Sequence, residues 1–169
     1  MVAKTSRGNA VVTLPTETQI LITREFNAPR RLVYQAWTTP ELIKRWWNAK
    51  RGEVIVAEVD LRVGGKWRWV MVTEDGTEAA FHGVYRELVP DERIVYTEVF
   101  EGVPGGGPSS DEPATLNTIT LIEKDGRTML TSLTDAMSQE LRDLILATGM
   151  EAGMQDAMDL LEEVVVSLL

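Results

Sequence analysis

The stretch TTPELIKRWW, Thr38 to Trp47, follows directly on Trp37, so three of the chain's five tryptophans fall within eleven residues. Its local chemistry predicts a short helix. Thr39 suits the N-cap, Pro40 the first helical position, where a missing N–H costs nothing, and Glu41 the positive end of the dipole. Leu42 and Ile43 are its apolar residues. The preceding NAPRRLVYQAW, Asn27 to Trp37, predicts another short helix, with Pro29 near its first turn and an apolar stripe of Leu32, Val33, Ala36 and Trp37. Before both, TQILITREF alternates Ile20, Ile22 and Phe26 with polar residues, the pattern of a half-buried strand. The first region therefore reads as strand, short helix, short helix.

Beyond Trp47 the apolar period changes to two. GEVIVAEVDLRVGGKWRWVMV predicts two strands broken near Asp60 to Gly65, where Gly64-Gly65 suits a sharp turn. EDGT carries a hairpin turn at Asp75-Gly76. AAFHGVYRELVP and DERIVYTEVFE predict two more strands joined at Pro90-Asp91, and ATLNTITLIE and RTMLTSLTD a final hairpin across Lys124-Asp125-Gly126. Between these pairs, GVPGGGPSSDEP reads as a flexible loop. The count is seven strands, one before the helix pair and six after it. From Ser138 the pattern becomes helical to the end, predicting one long helix interrupted by Gly149 and Gly153. Each glycine there costs about 1 kcal/mol against alanine, so a close neighbour is the expected compensation.

Composition narrows the function classes. The 169 residues suffice for one domain with a core, and a net charge of -9 argues against nucleic-acid binding, which needs a basic face. The absence of cysteine excludes disulfides, thiol catalysis and Cys-based zinc sites. No run is apolar enough to span a bilayer or to act as a signal peptide, so a cytoplasmic protein is expected. Residues 1–15 read as a flexible tail and residues 16–169 as a single domain. From Asp135 to Leu169 eight acids face one base, Arg142. That segment reads as a solvated helix face or as an acidic surface for a protein partner.

The order β, α, α, six β, long α implies an α+β fold. A seven-stranded antiparallel sheet must cover one face, and one long helix is available to do it. A curved sheet gripping one helix leaves space between them, and the two short helices would plug one end. The tryptophans then fill the junction of sheet, helix and plug.

The segments REFNAPRRLVYQAWTTPELIKRWW, DLRVGGKWRWVM, FHGVYRELVPDERIVYT and ATGMEAGMQDAMDLL, in this order, resemble the bacterial branch of the family homologous to the activator of the heat shock protein 90 ATPase. The resemblance spans about residues 17 to 168. It implies the START-like (SRPBCC) helix-grip fold, a seven-stranded antiparallel curved sheet around one C-terminal helix with two short helices after the first strand. It also implies a superfamily whose members include lipid carriers, hormone receptors, polyketide cyclases and co-chaperone domains.

Candidate site residues follow from strand parity and helix spacing. Trp67, Trp69 and Met71 share one strand face, expected to point at the long helix. Met150, Met154 and Met158 recur every four residues on that helix, and methionine suits an adaptable wall. With Trp46, His82 and Tyr96 added, the candidate cavity residues are Trp46, Trp67, Trp69, Met71, His82, Tyr96, Met150 and Met154. Other strand polar groups, Arg24, Tyr85, Thr118, Thr120, Ser132 and Thr134, would orient a ligand where they face inward. His82 is the single histidine. A catalytic triad lacks its nucleophile elbow, and no metal-ligand spacing, nucleotide loop or cofactor motif is present. The expected function is binding of a small hydrophobic or amphipathic molecule between sheet and helix. The alternatives are a chaperone-associated stress-response regulator and a cyclase- or hydrolase-type enzyme using the same cavity.

Overall fold

A computed structural model describes residues 10–102 and 114–169. The elements run β1 (Val11–Thr13), β2 (Gln19–Phe26), α1 (Arg30–Thr38), α2 (Pro40–Trp46), β3 (Gly52–Val59), β4 (Lys66–Thr73), β5 (Glu78–Val89), β6 (Arg93–Phe100), β7 (Ala114–Lys124), β8 (Arg127–Asp135), α3 (Gln139–Ala147) and α4 (Met150–Ser167). The strands form one antiparallel sheet in the order β1-β2-β8-β7-β6-β5-β4-β3. The fold is the expected α+β helix grip, with eight strands rather than seven.

The additional strand is Val11–Thr13, inside the segment expected to be a flexible tail. It pairs with Leu21–Thr23 of β2, and Ala10 exchanges two hydrogen bonds with the Gln155 side-chain amide on α4, at 2.9 and 2.8 Å. A three-residue edge strand is too short to show an alternation, which is why the pattern misses it. The rest of that tail, residues 1–9, and the triple-glycine segment at 103–113 lie outside the described residues.

The expected single C-terminal helix is two helices. Ser138 caps α3 by accepting from Leu141 N–H, and α3 ends at Gly149, whose φ of 77° lies in the left-handed region. Glycine is needed there for its backbone conformation, since nothing lies within 4 Å of an added Cβ. The expected close neighbour is therefore absent at Gly149, and at Gly153 it is Arg51 Nε at 3.7 Å. Pro40 takes the first turn of α2 as predicted. Thr39 sits at the cap position without a side-chain cap hydrogen bond, and its backbone carbonyl accepts from Leu42 and Ile43.

Strand register fixes which side chains face the helices. Ile20, Ile22, Arg24 and Phe26 alternate inward on β2, and the ladders carry that face across the sheet through Asn117, Ile119 and Leu121 of β7 to Ile94, Tyr96 and Glu98 of β6, Tyr85 of β5, and Trp67 and Trp69 of β4. Helix α4 is fastened over this concave face on two sides. Arg24 reaches Asp159 at 2.8 Å from β2, and Arg51, the residue before β3, reaches Asp156 at 3.0 Å. Among the described residues, no helix is long and apolar enough to cross a membrane.

Candidate functional site: an aromatic cavity beside an inward carboxyl

Between the plug helices and the concave face lies a cavity of about 10 Å³, lined by Trp37, Trp67, Trp69, Tyr85, Ile94 and Tyr96. That volume holds about one water molecule. Five of the six lining residues are aromatic. Helix α1 supplies Trp37, and β4 supplies Trp67 and Trp69 at alternate positions of one face, so all three indoles meet. The Trp37–Trp69 ring centroids are 6.3 Å apart and the Trp67–Trp69 centroids 5.3 Å. Trp67 also meets Tyr96 at 5.5 Å with the rings perpendicular. Edge-to-face contacts of this kind place the positive edge of one ring on the negative face of the next.

The tryptophans behind this wall answer the opening segment. Trp46 is buried against Trp37 at 4.8 Å and Trp69 at 6.1 Å, and its indole N–H donates to the Ala36 carbonyl at 3.0 Å. Trp47 is half-buried and meets Trp69 and Phe81, both at 5.5 Å. Adjacent helical positions diverge by about 100°, so one indole anchors the plug and the other flanks the β4–β5 edge. The indole N–H groups of Trp37 and Trp69 are buried with no acceptor among the described residues, an expensive arrangement in a finished core.

Polar groups border the cavity on β6 and β7. Tyr85 and Tyr96 face each other across the β5–β6 ladder. Burial is the main force raising both phenols above the usual tyrosine range, with each neighbouring titratable group adding to it. Tyr96 stands opposite Asn117. The Asn117 side-chain carbonyl accepts from Thr134 Oγ1 at 2.6 Å, and its amide donates to Thr115 Oγ1 at 2.8 Å. Glu98 is two residues from Tyr96 on the same face of β6, opposite Thr115. Desolvation alone pushes its carboxyl up to about 7. No hydrogen bond or ion pair engages that carboxyl among the described residues. A carboxyl perturbed by desolvation beside a cleft is a candidate functional group.

Several expected site residues lie elsewhere. His82 pairs with Val99 and Arg68 in the ladders, on the convex face. There its Nδ1 meets Glu101 Oε2 at 2.9 Å, beside a two-pronged Arg68–Glu101 ion pair. A histidine beside a glutamate on a strand is a packing motif here, away from the cavity. Met71 shares the face of Trp67 and Trp69 but lies at the far end of β4, opposite Ala79 and Val54. Met150 and Met154 pack at the edge of the core and do not line the cavity; Met158 is buried among core residues. Of the additional polar candidates, Arg24, Tyr85, Ser132 and Thr134 face inward, while Thr118 and Thr120 have the opposite parity. Trp37, Ile94, Glu98 and Asn117 were not expected. The signal for Glu98 is present in RIVYTEVF, where it shares the parity of Ile94 and Tyr96.

The acidic C-terminal segment is largely engaged within the fold. Asp143 pairs with Arg142, Asp156 with Arg51 and Asp159 with Arg24, and Glu162 accepts from the Asn27 backbone. Among the described residues no group of three or more metal-ligating side chains comes together.

Comparisons with known proteins agree with the fold. Residues 27–166 match the family described as Activator of Hsp90 ATPase homolog 1-like protein. Nothing among the curated proteins matches the chain. Among solved structures, a protein from Rhodobacter sphaeroides is similar at 24% identity and a TM-score of 0.82, covering 95% of this chain and 100% of its own. A protein from Chromobacterium violaceum is 29% identical with a TM-score of 0.72, covering 89% and 98%. An AHSA1-like protein from Aeromonas hydrophila is 21% identical with a TM-score of 0.63, covering 88% and 93%. With most of its length matched and the helix-grip sheet in place, this chain belongs to the Activator of Hsp90 ATPase homolog 1-like family.

Proposed function

We propose that the protein binds a small apolar or amphipathic molecule in the cavity between the concave face of the sheet and the plug helices, on the side of the sheet that α4 covers. The observation that carries this reading is the convergence of Trp37, Trp67, Trp69, Tyr85 and Tyr96 on one space, with an unpartnered inward carboxyl beside it. A wall made only for stability would place neither two indole N–H groups without an acceptor among the described residues in its lining nor a lone carboxyl beside it. At about 10 Å³ the cavity holds about one water molecule, so taking up a ligand requires the plug or α4 to move. The break at Gly149 between α3 and α4 suits such movement, which has to work against the apolar seam of Met158, Leu161, Val164 and Val165 as well as the two ion pairs of α4. No reaction is needed to account for these features.

Native mass spectrometry of protein purified without denaturation tests the reading, beside titration with the uncharged environment-sensitive dye Nile red. The expected result is a co-purified small molecule, or saturable uptake of one dye per chain that weakens in Trp67→Leu. Neither adduct nor uptake would overturn it.

A further inference from the structure

Deepening that reading and resting on it, we infer that the ligand is an organic cation of the methylated-ammonium class, held against the indole and phenol faces with its charge matched by Glu98.

Three observations converge. The cavity is an aromatic cage: Trp67 and Tyr96 meet at 90°, and Trp67 and Trp69 at 62°, edge contacts in which the positive edge of one ring lies against the negative face of the next. A cation over the same face makes the same electrostatic contact more strongly, and tryptophan is the best partner for it. A methylated ammonium is weakly hydrated for its charge and apolar on its outside, so it gives up little to enter such a cage.

The second observation is Glu98. It stands on the cavity's face of β6, two residues from Tyr96, across β5 from Trp67 in the row Trp67–Gly83–Glu98 that the two ladders define. No described side chain engages it. The buried cations are committed elsewhere: Arg24 to Asp159, and Arg142 to Asp143 and the Thr16 carbonyl. Glu98 is half-buried, and a carboxylate partly withdrawn from water without a counter-charge is costly. An arriving cation removes that cost, and a neutral ligand does not.

The third is the surrounding field. With a net charge of -9 the protein draws cations toward itself and repels anionic amphiphiles.

The titratable groups around Glu98 are Tyr96 on its own strand, Tyr85 on β5 and, beyond it, Tyr34 on α1 beside Asp91. All three phenols are raised and stay neutral below pH 8. β4 and β7 present Trp67, Thr115 and Asn117, which do not titrate in this range. Charge at the cage therefore follows Glu98 alone.

The test uses the full chain, with choline and its uncharged carbon isostere 3,3-dimethylbutan-1-ol as probes, read by isothermal titration and tryptophan fluorescence. Choline is expected to bind at pH 8 and to weaken by up to about thirtyfold at pH 5.5. That limit follows from the ionised fraction of a carboxyl titrating at about 7. The isostere should bind more weakly at pH 8 and show no pH dependence. Glu98→Gln, checked for an intact thermal transition, should lose the preference for choline while still binding the isostere. Equal affinity for the two probes, or choline binding that ignores both pH and Glu98→Gln, overturns the cation assignment and leaves the apolar-ligand reading standing. If Nile red binds and neither small probe does, the cation assignment likewise falls. Failure of all three overturns both readings.

Discussion

Trp67 stands directly opposite Gly83 across the β4–β5 ladder, and its indole N–H donates past that glycine to the Thr97 carbonyl on β6 at 3.2 Å. A Cβ at Gly83 would lie 2.7 Å from Trp67 Nε1 and 1.7 Å from the Thr97 oxygen. The cage wall thus depends on one missing methyl. Gly83→Ala is expected to destabilise the protein by about 3 kcal/mol, the upper range of overpacking, because backbone cannot turn aside as a rotamer can. Denaturant melts check it, with the midpoint falling at unchanged slope. Loss below about 1 kcal/mol would mean that β6 has room to shift.

Gly149 offers the opposite case. An added Cβ meets nothing within 4 Å, yet φ is 77°. Gly149→Ala should cost about 1 kcal/mol through backbone strain alone, and Gly149→Asn clearly less, since asparagine tolerates the left-handed region. Thermal melts of the pair separate strain from packing, because packing would penalise the larger asparagine more.

These two glycines show where sequence reading reached and where it stopped. The helix pair, the strands from β2 onward and the inward parity of Trp67 and Trp69 follow from spacing, since each element is long enough to show its period. Gly149 was visible as an interruption, but a glycine serving a neighbour and a glycine serving φ look alike in sequence. The strand Val11–Thr13 lacks the length to alternate. His82 drew attention by being the only histidine, a property of composition that says nothing about which face of β5 it occupies. The register settles that through Val99 and Arg68. Glu98 was overlooked because a glutamate in a strand is ordinarily solvent-facing. Only its parity with Ile94 and Tyr96 marked it.

Arg24 is buried on the concave face, with its guanidinium 2.8 Å from Asp159 of α4 and 5.2 Å from the Phe26 ring centroid. Asp159→Ala strands that cation and is expected to cost about 3 kcal/mol, the low end for a broken buried pair because Asp159 remains 37% exposed. Combining Arg24→Met with Asp159→Leu should recover most of the loss, since apolar groups of similar size need no counter-charge. A double-mutant cycle by denaturant melts measures the coupling. An additive result would show that the pair does not fasten α4 to the sheet.

The Glu98 carboxyl gives the ligand-free protein a defined pH signature. Burial raises it to about 7 in the folded state, against about 4.3 in an unfolded chain. Between those values the native state holds a proton that the unfolded state has released. Stability from this group is therefore fully present below about pH 4.3, falls as pH rises through the window, and levels off above about 7. Glu98→Gln keeps the size and polarity but never ionises. Its stability relative to wild type should be smallest near pH 4, rise steadily to pH 7 and then stay constant. Urea melts of the two proteins at half-unit pH intervals measure the difference directly, and other titrating groups cancel because both chains share them. A flat difference would show that solvent reaches the carboxylate, and a difference of opposite slope would show a cation already paired with it. Adding choline to the wild type should raise stability most at the alkaline end of the window, where the folded protein carries the bare charge.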